Sequence, residues 1–263
     1  MRLAPYIEFA KKSFAQAATY RAEVYTEIGS LVLRVYLVRS LWTALYRQNA
    51  APAHLPLHGM ITYATIALLM SLVLEVDGTR QIREKLREGT IATDLMKPIV
   101  VPFYFFADGL GRTGLYAFTI IPSLVFALLL VHIDVPNAGV FLAFAFSFAL
   151  GYIVNFFLNF LMNCVAFWTL ETFGIQLIVR WVSDLLSGQI IPLIFFPGLL
   201  GRLVFALPFA AIYSTPLLIY VGIISPSQYV QYFGIQILWA ALFGGLSYIM
   251  WQAASRRIVV QGG

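Results

Sequence analysis

Apolar runs of about twenty residues recur along this chain, near Val24–Tyr46, His58–Val76, Thr113–Val131, Gly139–Leu161, Leu177–Phe196 and Tyr229–Trp251, and about 20 residues is the length a helix needs to cross hydrocarbon. Inside lipid a segment must satisfy its backbone N–H and C=O groups internally, and a helix does so on its own. The pattern predicts an all-α polytopic membrane protein with six transmembrane helices, in a single transmembrane domain over residues 1–263. Only 11% of residues are charged and 60% are hydrophobic, against roughly 25% charged in soluble domains.

Between these runs lies one island of charge. Glu75 to Lys97 holds ten of the 29 charged residues, and central Arg, Lys or Asp cost roughly 2.5–3.5 kcal/mol each on insertion scales. The segment 77–98 is therefore expected in water between the second and third spans. Its five basic residues place it on the cytoplasmic face by the positive-inside bias. Arg80 to Glu88 fits a short helix, with Arg80 and Glu84 one turn apart and Gly89 as a C-terminal stop. The alternatives are a solvated connector, the usual fate of a charge run, or a docking helix for a cytosolic partner. In the second case Arg80, Arg83, Glu84, Lys85, Arg87 and Glu88 form the contact patch.

Topology follows from charge. Residues 1–22 lack the continuous apolar core of a signal peptide. Tyr6, Ile7, Phe9, Ala10 and Phe14 approximate a helical stripe beside Lys11 and Lys12, so an amphipathic helix lying on the cytoplasmic leaflet is expected. Leu203–Ile224 is uncharged and long enough to cross, but Pro208 and Pro216 interrupt it and Pro197-Gly198 precedes it. A seventh crossing would carry Arg256 and Arg257 outside, whereas six keep them and the N-terminus in the cytoplasm. Residues 197–227 are accordingly expected to form an external re-entrant hairpin before the sixth span.

Several chemistries are excluded. The net charge of +5 comes without a basic stripe interleaved with exposed aromatics, so it reflects Lys and Arg beside anionic lipid and not a nucleic-acid partner. Cys164 is the sole cysteine, which rules out an intrachain disulfide. His54, His58 and His132 lack carboxylates at metal-ligand spacing, so no metal site is expected. No G-x-S-x-G elbow accompanies the serines. None of the four lysines follows a glycine, so the chain has no phosphate-binding loop and no cofactor of its own. Leu186-Ser187-Gly188-Gln189 resembles an ABC ATPase signature lacking a glycine, but it lies in an apolar run.

Polar residues inside the apolar runs need partners. Asn155, Asn159 and Asn163 recur every four residues and share one face of the fourth span. They either hydrogen-bond between helices or line a substrate path. Glu27, Arg34 and Arg39 in the first span, and Arg180 and Asp184 near the fifth, are expected to form ion pairs, with Glu27 and Arg34 as the alternative lining of a path for charged cargo. The tryptophans and many tyrosines read as interfacial anchors.

The motifs REGTIATDLMKP in the island, SGQIIPLIFFPG at Ser187–Gly198 and RRIVVQGG at Arg256–Gly263 resemble, in the same order, the permease subunits of ABC type 2 exporters, in the six-span branch related to antibiotic and viologen exporters. The resemblance implies a permease dimer, with an identical or divergent second permease, bound to two separate ATPase subunits that carry ATP and Mg. It also implies an interfacial N-terminal helix, a coupling helix between spans 2 and 3 and re-entrant helices before the last span, in the cytoplasmic membrane of a prokaryote. The expected function is export of a hydrophobic or amphipathic molecule, a drug, peptide or lipid, driven by the partner ATPase. The alternatives are a secondary transporter or scramblase working without an ATPase, and a membrane scaffold that moves nothing.

Overall fold

The computed structural model describes residues 4–17, 21–47, 55–75, 79–91, 94, 100–169 and 173–261. All regular structure among these residues is helical: α1 (Ala4–Ala17), α2 (Arg21–Arg47), α3 (Leu57–Leu74), α4 (Gln81–Arg87), α5 (Val101–Leu130), α6 (Ala138–Cys164), α7 (Phe173–Leu186), α8 (Gly198–Ala206), α9 (Ser214–Tyr220) and α10 (Tyr229–Gln261). Short 3-10 turns occupy Val165–Phe167, Leu193–Phe195 and Pro226–Gln228.

Among the described residues, four helical segments are long and apolar enough to cross a membrane: Tyr25–Arg47, Leu57–Leu74, Ala138–Phe167 and Pro226–Arg257. They coincide with the expected first, second, fourth and sixth runs. α3 is the central column. It is apolar on all sides, and every residue from Met60 to Leu74 except Leu68 is buried, as such a helix requires. Around it α2, α5 and α9 close the main core, which includes Leu31, Val35, Tyr63, Leu217 and Ile219.

Two expected spans take a different form. α5 starts at Val101, well before Thr113, because Asp108 and Arg112 are accommodated by protein instead of marking the water boundary. The run 177–196 is not one helix. α7 has 14 residues and at 1.5 Å per residue spans about 21 Å, short of the roughly 30 Å hydrocarbon core. It stops at Ser187-Gly188, where Gly188 takes φ +84°. A Cβ there would lie 3.0 Å from the Tyr63 hydroxyl oxygen and 3.2 Å from Leu193. The Tyr63 hydroxyl donates to the Gly188 carbonyl at 2.7 Å, fixing the break against the central column.

Residues 197–227 contain a helical hairpin, α8 and α9 joined through Leu207–Tyr213. Its turn lies against the middle of α6, where a Cβ on Gly151 would come within 2.8 Å of the Ile212 carbonyl oxygen and 3.0 Å of that of Ala211. Gln236 of α10, fully buried, donates to the carbonyls of Ala211 at 2.8 Å and Ser147 at 3.0 Å and accepts from the Ser147 hydroxyl at 3.0 Å. Trp239 donates to the Ala206 carbonyl at 3.1 Å. At its far end α9 is held by the Tyr220 hydroxyl, which donates to the Asp134 carbonyl at 3.1 Å. Non-helical backbone deep in an apolar bundle persists only when protein satisfies it, and here Gln236 and local turns do so.

Gly151→Ala drives a methyl into that turn, and overpacking of this kind costs typically about 1–3 kcal/mol. Gly245→Ala meets nothing within 4 Å. The expected outcome is a lowered thermal unfolding midpoint in detergent for the first variant and an unchanged one for the second; equal midpoints would show that the turn yields without strain.

Candidate functional site

The charge island folds as expected locally. α4 follows Arg80, whose guanidinium pairs with Glu84 one turn on at 3.5 Å, and ends where Gly89 adopts φ +72°. An exposed pair of this type contributes only about 0.3–0.5 kcal/mol, so the helix of seven residues depends on tertiary anchoring. Ile82 supplies it: fully buried, it packs in a cluster with Ile91 and with Val101, Tyr104 and Phe105 of α5, Phe156 and Phe160 of α6 and Trp251 of α10.

That seating splits the six island residues into two sets. Arg80, Glu84, Arg87 and Glu88 point outward and remain exposed. Lys85 turns inward to the buried Asp94 carboxylate, with the Tyr104 hydroxyl at 3.3 Å and the Tyr104 and Phe105 rings at 5.0 and 5.6 Å. Arg83 is half-buried, and its Nε finds no hydrogen-bond partner among the described residues. Lys85 thus holds the segment to α5, and Arg83 is only partly presented. Burial opposes the Lys85 charge, but the hydrogen bonds and attraction of Asp94 and Tyr104 outweigh it and raise the ammonium's pKa above its ordinary value.

A centre the sequence did not reveal lies beside α4. Asp108 of α5, 5% exposed, accepts from the Ser13 hydroxyl of α1, from the Gln81 amide of α4 and from Arg112 Nε one turn on at 3.1 Å. The only local signal was the spacing of Asp108 and Arg112; Ser13 and Gln81 are 95 and 27 residues away. The aromatic side of α1 packs toward α5. Phe9 packs edge-on to Tyr104 at 4.8 Å, Tyr6 accepts from the Val100 N–H at 3.0 Å, and the Ala10 backbone lies so close that a Cβ on Gly111 would be 2.1 Å from its oxygen. α1 is docked on α5, with Ile7 and the Lys11–Glu8 pair at 2.8 Å on its open side.

The three asparagines run toward this same end. Asn155 donates to the Leu74 carbonyl at 2.7 Å, one of the groups a helix C-terminus leaves unsatisfied. Asn159 donates to the Asn155 carbonyl at 3.0 Å. Asn163 donates to Thr79 at 2.7 Å, directly before Arg80, and accepts from Gln176 at 3.2 Å. Their polar groups thus stitch α6 to the end of α3, the entry to α4 and α7. Glu27 and Arg34 pair with each other at 3.3 Å along α2, and Arg39 donates to the Leu130 carbonyl at 2.6 Å. Neither is brought to the asparagines. Arg180 pairs with Glu75 at 3.4 Å and with Asp184 at 4.0 Å. At the opposite end of the bundle from α4, His58 bonds Asp134 at 2.8 Å and its ring lies 5.6 Å from that of His132; His54 falls outside the described residues. No group of three or more His, Cys, Asp or Glu among the described residues is arranged to hold a metal.

Lys85→Met removes the cation beside buried Asp94, and breaking a buried pair from one side costs about 3–5 kcal/mol, whereas Arg80→Ala stays within about 0.5 kcal/mol. Thermal unfolding in detergent at pH 7 is expected to separate the two variants clearly. Since the Lys85 pKa is raised, its stabilisation is complete below the ordinary lysine pKa of about 10.4 and is lost only at higher pH. Stability should therefore hold from pH 7 to about 9 and fall beyond about 10.5 less steeply in Lys85→Met than in the parent.

Comparison with known proteins gives one informative result: the family model described as ABC-2 family transporter protein matches residues 31–262, from within α2 to the end of the last helix. Neither the curated proteins nor the solved structures give a match. Members of that family are membrane components of ABC transporters, generally working with an ABC ATPase and without catalysis of their own. A match over nearly the whole of an all-helical, multi-pass chain establishes that this protein belongs to the ABC-2 family of transporter proteins.

Proposed function

We propose that the chain is the six-span permease subunit of an ABC exporter in the cytoplasmic membrane of a prokaryote, with both termini in the cytoplasm. In this reading α2, α3, α6 and α10 are the first, second, fourth and sixth spans, and α5 supplies the third. α7 with the segment to Phe196 forms a broken fifth, and the α8–α9 hairpin re-enters from the outer side. Two copies of a separate ATPase, bearing ATP and Mg, dock on two permeases, identical or divergent. Cargo is a hydrophobic or amphipathic molecule.

The observation that carries the reading is α4. A charged helix is anchored by Ile82 beneath a bundle of membrane-length helices, and it turns Arg80, Glu84, Arg87 and Glu88 to solvent. A soluble partner engaging this face meets alternating charge on a rigid mount, which favours specific docking. The asparagine and Glu27–Arg34 contacts favour a structural role for those residues over a path lining, since each of these side chains already has a protein partner.

The test is affinity purification of the tagged protein in mild detergent, with mass spectrometry and ATP hydrolysis measured on the eluate. An ABC ATPase with vanadate-sensitive activity is expected to co-purify. Arg80→Glu with Arg87→Glu, both on the exposed face, should strip the ATPase from the complex by about tenfold or more while leaving the permease's own unfolding midpoint unchanged. Retention of a fully active complex by the double variant would remove α4 as the docking element. Recovery of the parent chain alone, without ATPase activity, would favour a secondary transporter or scramblase.

A further inference from the structure

Resting on the permease reading, we propose that Asp108 is the positioning residue that binds α1, α4 and the start of α5 into one moving body, so that a stroke received at α4 enters the bundle through the third span. Three features of the structure lead there. A single carboxylate, almost wholly buried, takes hydrogen bonds from side chains of all three elements, Ser13, Gln81 and Arg112. A buried ionised group is held only while its donors stay in place, so each donor's helix is constrained relative to the others. The backbones of α1 and α5 are also in contact at Ala10 and Gly111, three residues further along α5, leaving no gap in which either could move separately.

The second feature is an independent bond of the same sense. Lys85 of α4 reaches the Tyr104 hydroxyl and lies over the Tyr104 and Phe105 rings, all on α5. The third is what connects α4 elsewhere. α6 holds the entry to α4 through one hydrogen bond, Asn163 to Thr79, and otherwise meets α4 through Ile82 against aromatic rings, an apolar contact that is non-directional and permits sliding. Directional bonds to α5 do not. A displacement of α4 is thus passed to α5 through Gln81 and Lys85 and to α6 through the single bond at Thr79, and α1 travels with α5.

The experiment uses the complete complex with its co-purified ATPase in lipid nanodiscs. Gln81→Leu cuts the α4 link while Asp108 keeps Ser13 and Arg112, so the variant is expected to fold and assemble. Its kcat for ATP should fall at least about fivefold with KM for ATP within about twofold of the parent, the signature of lost transmission. Gln81→Lys, which returns a donor to Asp108, should recover turnover. Nitroxides at Lys12→Cys and Thr90→Cys, in a Cys164→Ala background, should report one distance distribution between α1 and the end of the α4 segment, shared by nucleotide-free and vanadate-trapped complexes. In Gln81→Leu that distribution should shift on trapping.

Parent-like kcat in an assembled Gln81→Leu complex would overturn the proposal, as would an α1–α4 distance that changes on trapping in the parent. Loss of the ATPase from Gln81→Leu would also overturn it, by making Asp108 a support of the docking surface alone. Absence of any ATPase from the parent preparation would instead overturn the exporter reading, and this inference with it.

Discussion

In an apolar solvent every backbone N–H and C=O must find its partner inside the protein, and the unusual parts of this chain lie where that demand is hardest to meet. Within α2, α3, α6 and α10 the helix satisfies it residue by residue. At the Ser187-Gly188 break, the α8–α9 turn and the end of α3 it cannot, and side chains from other helices take over: Tyr63 at Gly188, Gln236 at Ala211, Trp239 at Ala206 and Asn155 at Leu74. Each acceptor is a main-chain carbonyl. These four side chains let the chain stop or bend where a continuous helix would have run straight through.

The α4 end follows a different logic, in which charge is used for attachment. Exposed pairs such as Arg80–Glu84 contribute little and leave their charge available to a partner. Buried Asp108 fastens α4 and α1 to α5, and buried Asp94 holds Lys85 of α4 where it reaches Tyr104 of α5. Neighbouring side chains on one short helix thus divide between presentation and anchorage, and Ile82 sets which face does which.

What the sequence disclosed and what it hid separate along the same line. Properties that add up along the chain were legible: apolar length placed α2, α3, α6 and α10, and Gly89 marked the end of α4. The i, i+4 spacing put Asn155, Asn159 and Asn163 on one face. Their targets were not legible, because Leu74 and Thr79 are more than 80 residues distant. For the same reason Lys85 read as a surface charge until Asp94 and Tyr104 were in place beside it. The break after α7 carried a local signal, Gly188, but one glycine in a long apolar run is outweighed by the run itself. The early start of α5 was masked by Asp108 and Arg112, which read as a water boundary when their partners are unknown.

The hairpin turn against α6 has a further consequence for how this protein can diversify. Gln236 reaches the Ala211 carbonyl, a group that every amino acid possesses, and Gly151 offers the turn a bare backbone to rest on. The hydrogen bonding that places the tip is therefore blind to the tip's side chains. Packing limits size at buried Ala210 and Ala211, but the chemistry of the neighbouring residues can be exchanged without changing where the loop is held. The sequence of the tip can then change while its anchor on α6 and α10 stays as it is.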